Sequence, residues 1–92
     1  MIVYVELECI LYEGSSLKEK RSILKRLMHR LQKDFNVSVA ELDYQNLWQR
    51  IKLGIAVVTN DYVQGEKVIQ RCLEVIDSFP ELERTLTNIE GL

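Results

Sequence analysis

Ninety-two residues, 47% of them hydrophobic and 28% charged, are too apolar for a disordered chain and too few for more than one two-layer core. No apolar run reaches membrane-spanning length, and residues 1–12 lack the basic start and cleavage site of a secretion signal, so a cytoplasmic protein is expected. The formal net charge of −2 excludes a uniformly basic protein, which leaves the distribution of charge as the informative quantity.

Residues 2–12 alternate as a strand, with Val3, Val5, Leu7, Cys9 and Leu11 on an apolar side that should face the core. Glu13-Gly14-Ser15 reads as a turn, and Ser16 followed by Glu19 has the spacing of a capping box. From Leu17 to Phe35 a helical stripe of Leu17, Leu24, Leu27, Met28, Leu31 and Phe35 is expected inward. Asn36 is a candidate left-handed residue to end that helix.

Seven of the twelve Lys and Arg residues lie in this helix, against only Glu19 and Asp34, so it carries +5. The rest of the chain carries −7. Lys18, Arg21, Lys25, Arg26, Arg30 and Lys33 fall on or near the outward arc, where they are candidates for contact with RNA or an acidic partner. The competing reading is a plain solvated exterior, since Lys and Arg are good helix formers. Lys20 falls beside the leucine stripe, and Glu41, on the inward parity of the next strand, is its expected architectural partner. His29 is the only histidine and has no metal-ligand companions at suitable spacing, so no metal site is expected.

Residues 37–44 read as a second strand whose alternation fails midway, placing a bulge or bend near Ala40. The connection that follows holds Trp48, Gln49 and Arg50. Two roles stay open for Trp48: stacking on a base or filling a partner's pocket, or folding back over the end of the core. Gln49 and Arg50 would then read polar groups around it.

Ile51 to Thr59 forms a third strand with Ile51, Leu53, Ile55 and Val57 inward. Asp61 with Gln64 has cap spacing for a second helix, on which Gly65 permits close contact with the sheet. Pro80 follows that helix, and Leu82 to Ile89 is a weaker final strand. Cys9 and Cys72 lie in apolar patterns and are expected as separate buried thiols.

The order βαββαβ, spanning residues 1–92 as one domain, predicts an α+β ferredoxin-like sandwich. Its antiparallel sheet should run 4-1-3-2, with both helices on one face. The other face is then bare. Ile2, Tyr4, Ile10, Tyr12, Leu42, Tyr44 and Val58 should lie there, an apolar area suited to a second copy of the chain, so a homodimer is expected. RNA-recognition domains share this order but stack bases on aromatics of the first and third strands. Here the third strand offers none, and Glu6 and Glu8 would repel phosphate, so RNA should prefer the helical side.

No acid–base pair, activated nucleophile or phosphate-cradling glycine loop is visible, so neither an enzyme nor a cofactor is expected. Val63-Gln64-Gly65 echoes the loop of acylphosphatases, but it opens the second helix instead of following the first strand.

Three stretches together carry a family resemblance. They are Ser16-Leu17-Lys18-Glu19-Lys20-Arg21-Ser22, then Asn36-Val37-Ser38-Val39-Ala40-Glu41, then Leu47-Trp48-Gln49-Arg50 ahead of Gly54-Ile55-Ala56-Val57-Val58. The chain resembles the YlxP-like family of small bacterial proteins, also described as a domain of unknown function. The resemblance implies a ferredoxin-like fold, a bacterial cytosolic setting and no established catalysis. Genes of that family often lie among those for transcription termination, translation initiation and ribosome maturation. It thereby implies an accessory factor near RNA or the ribosomal particle. The alternative is a regulatory or scaffolding module that binds a protein or small ligand through the bare sheet face.

Overall fold

A computed structural model describes residues 1–12 and 16–92. The elements run β1 (Ile2–Leu11), α1 (Leu17–Asp34), β2 (Ser38–Asp43), β3 (Arg50–Val58), α2 (Tyr62–Asp77) and β4 (Leu82–Gly91). The sheet order is β2-β3-β1-β4 with every pair antiparallel, the arrangement that two β-α-β crossovers require. The expected turn at Glu13-Gly14-Ser15 lies outside the described residues.

β1 and β3 are central because both are apolar on the side toward the helices. Val3, Val5, Leu7, Cys9 and Leu11 meet Ile51, Leu53, Ile55 and Val57, all of them buried. Leu24, Leu27 and Leu31 from α1 and Ile69, Cys72, Leu73 and Ile76 from α2 close the core from above. Full burial of each such aliphatic side chain contributes about 1.5–3 kcal/mol. α1 sits over the edge strand β2, whereas α2 lies over β1, β3 and β4.

Sequence punctuation sets the helix ends. Ser16 Oγ accepts from the Glu19 N–H at 3.2 Å, and Asp61 Oδ1 accepts from the Val63 N–H at 3.0 Å. Asp61 thus caps the amide of the second helical residue, in the first turn of α2. Gly65 allows α2 to approach the sheet closely: a Cβ there would stand 2.6 Å from Val3 Cγ2 and 2.7 Å from Thr59 Cγ2.

The far end of α1 departs from expectation. Asn36 is not left-handed. Phe35 ends the helix in extended backbone at φ −133°, its N–H still reaching the Leu31 carbonyl at 3.0 Å, and its ring packs against the core. Anchoring that ring ends the helix without a left-handed residue. Among described non-glycine residues only Tyr44 has positive φ, at 65°, where β2 leaves the sheet. The irregularity in β2 falls between Glu41 and Asp43, later than Ala40. β4 is a full ten-residue strand, with a bulge in its pairing at Glu8/Cys9.

Candidate interfaces on the first helix and the bare sheet face

The cations of α1 separate into three groups once the helix is seated. Lys20 faces inward and is 1% exposed. Its ammonium donates to the Tyr44 carbonyl at 2.6 Å and the Leu47 carbonyl at 2.7 Å, and meets Glu41 Oε2 at 3.0 Å. Two carbonyls take two of its three protons, and the carboxylate beside them supplies the opposite charge that a buried ammonium requires. Glu41 Oε2 has no directed hydrogen bond, so charge attraction to Lys20 is what offsets its desolvation. The expected Lys20–Glu41 pair is present. The two loop carbonyls were not foreseen, because backbone acceptors leave no residue-type signature.

Arg26 and Arg30 form the second group, on the flank toward α2. Arg26 bridges to Glu81 at 2.7 Å and lies 5.5 Å from the Phe79 ring centre. That hydrogen bond holds the Glu81 carboxyl below its usual range. Arg30 meets Asp34 one turn on, at 3.6 Å. Lys18, Arg21, Lys25 and Lys33 are the third group. All four are exposed, and none has an ion-pair partner among the described residues. Arg21, Lys25 and His29 rim a shallow depression of about 420 Å³ floored by Leu24 and Met28, with Gln32 at its end.

The segment after β2 does not join this group. Arg50 lies on the bare sheet face, paired with Glu8 at 2.8 Å, bonded to Tyr44 Oη at 2.9 Å and stacked 4.0 Å from the Tyr44 ring centre. Trp48 is half-buried and is not among the side chains of the central apolar cluster. Gln49 is exposed, and its carbonyl accepts from the Leu11 N–H at 2.8 Å.

The bare face holds the residues expected there. Val58 is 80% exposed and lies directly opposite Ile2. Leu42 and Tyr4 close over Gly54, where a Cβ would stand 3.0 Å from each. Ile10 and Tyr12 are exposed at the other end. β4 adds Leu86, 59% exposed, with Asn88 and Glu90 opposite Glu6 and Tyr4. Sequence reading missed these three. The clue is that buried Leu82 and inward-paired Ile89 have opposite parity, which demands a one-residue slip between them. Glu6 and Glu8 are offset by Lys52 at 3.5 Å and Arg50, making the middle of the face polar.

Chemistry within the core is quiet. Burial pushes the Cys9 thiol up to about 12 and the Cys72 thiol up to about 11, so both stay protonated and unreactive near neutrality. Among the described residues no group of three His, Cys, Asp or Glu side chains is placed to hold a metal, and no helix is long and apolar enough to cross a membrane.

The fold defines the class of the protein as a ferredoxin-like α+β sandwich. Solved structures with it include the de novo designed protein Foldit4, at TM-score 0.63 and 17% identity, covering 100% of this chain and 99% of that one. A C-terminal segment of the alpha subunit of aIF2 from Pyrococcus abyssi matches at TM-score 0.60 and 21% identity, over 100% of this chain and 52% of that one. At such identities the likeness is one of fold. The family described as "Protein of unknown function (DUF503)" matches residues 2–89, and the chain belongs to it. It is 56% identical over 90 residues to the uncharacterized protein YlxP of Bacillus subtilis (strain 168), covering 98% of each chain.

Proposed function

We propose that this protein is a small accessory factor that contacts RNA, alone or in a ribonucleoprotein, through the exposed face of α1. The observation that carries this reading is the third cation group: Lys18, Arg21, Lys25 and Lys33 stand in solvent with no carboxylate partner among the described residues. Lys18, Lys25 and Lys33 recur at seven and eight residues, close to two helical turns. They form a line about 22 Å long. Such a rod of cations releases counterions when it meets a phosphate backbone. The carboxylates lie mainly elsewhere, with Glu6, Glu8, Glu83 and Glu90 on the bare sheet face, so the molecule presents unlike poles.

The salt dependence of binding to a structured RNA tests this. Replacing Lys18, Lys25 and Lys33 together by Ala should weaken binding and flatten the slope of log affinity against log salt by about 0.9 for each lost phosphate contact on a duplex. A slope near zero for the wild type, or an unchanged slope in the triple variant, refutes the reading.

A second reading concerns the bare sheet face. Val58, Leu86 and Tyr12 are far more exposed than their apolar surfaces favour in a lone molecule. This supports self-association through that face, with the helices left outward.

A further inference from the structure

We infer that the free edge of β2, together with the adjoining flank of α1, accepts an extended acidic segment of a partner protein as an added strand. Three independent observations converge on this strip. First, β2 is an edge strand, and Ser38 and Ala40 are exposed along it. Its outer backbone groups therefore lack a strand neighbour.

Second, this edge is not blunted as the other one is. β4 carries Glu83, Arg84 and Glu90 and is bulged opposite Glu8/Cys9. β2 is bulged only past Glu41, where Asp43 adds a charge; from Ser38 to Glu41 it has no Lys, Arg or Pro and keeps regular pairing with Ala56 to Leu53. Its one charged side chain there, Glu41, is turned inward and held by Lys20. Edges left flat and uncharged are templates for another strand.

Third, the helix above supplies matching chemistry. Arg26 and Arg30 occupy the α2 flank of α1, beside Phe79 and Ser78. The flank away from these residues is the depression with Leu24 and Met28 as its floor and Arg21, Lys25 and His29 as its rim, on a helix that itself packs on β2. An added strand would turn every second side chain toward it. Apolar side chains would reach Met28 and Leu24, and a flanking carboxylate would reach Arg21 and Lys25, which lie about one helical turn apart. The lengths agree. Ser38 to Glu41 spans roughly 10–13 Å of strand, and Arg21 to Gln32 roughly 16 Å of helix. A segment of five to seven residues covers both. This inference goes beyond the RNA reading, although Arg21 and Lys25 belong to both surfaces.

The probe is the capped heptapeptide Glu-Thr-Val-Thr-Val-Thr-Glu, titrated into the isotopically labelled protein and followed by NMR. The expected result is saturable shifts at the β2 amides and the Met28 methyl, with slowed amide exchange along Ser38 to Glu41. N-methylation at alternate backbone nitrogens should weaken binding at least tenfold, and so should replacing both Glu by Lys. An acidic peptide held only by the cations of α1 would bind equally well when N-methylated, and that result overturns the inference. It is also overturned by shifts confined to β4, or by no saturable change. RNA is absent from this titration, so failure of the RNA reading leaves its outcome untouched.

Discussion

Lys20 shows why a residue's neighbours outrank its type. In sequence it is one of seven cations on a basic helix, yet in the fold it belongs to the core and ties α1 to the chain leaving β2. It donates to the Tyr44 and Leu47 carbonyls and pairs with the Glu41 charge, so one ammonium holds the left-handed turn at Tyr44 in place. Lys20→Met keeps the stem but strands a carboxylate and two carbonyls, and should cost about 3–5 kcal/mol in urea unfolding. Adding Glu41→Leu should restore part of that loss, because the uncompensated buried charge is then removed. If the double variant is no more stable than Lys20→Met, charge is not what the pair contributes. The Lys20–Glu41 contact was legible beforehand because helix phase and strand parity both pointed inward. Its backbone partners were not, since they depend on the path of a loop that no periodicity describes.

At the level of elements, strands and helices followed from period and punctuation. The misreadings cluster at ends and slips. Asn36 looked like a stop, but Phe35 ends α1 by holding its ring against the core. The parity slip in β4 concealed Leu86, Asn88 and Glu90 from the bare face. Arg50 was grouped with Trp48 because they are close in sequence. A strand begins at Arg50, however, and alternation carries it to the sheet face beside Glu8 and Tyr44. Gly65 was placed correctly, and it makes a prediction at this scale. Its missing Cβ allows α2 to settle on Val3 and Thr59, so Gly65→Ala should gain helix propensity yet lose more to overpacking. A net loss of about 1–2 kcal/mol in denaturant unfolding is expected. A stabilised variant would mean that α2 can lift from the sheet at no cost.

For the whole molecule, cations line the outside of one helix, while the opposite layer mixes acidic groups with exposed aliphatic side chains. The two surfaces can therefore be tested separately. Val58 is so exposed that it does little for the isolated chain, which makes Val58→Lys a clean probe of assembly. Sedimentation should show the wild type as a dimer and the variant as a folded monomer, its melting temperature lowered only by the loss of assembly. A monomeric wild type would remove the second reading and leave the helix untouched. The central position of β1 has another consequence. It pairs with β3 on one side and along its whole length with β4 on the other, from Val3↔Gly91 to Leu11↔Leu82. A ribosome therefore releases β1 with no partner on that side until β4 emerges. Until then the nascent chain exposes an open seam that only a chaperone or a delay in folding can protect.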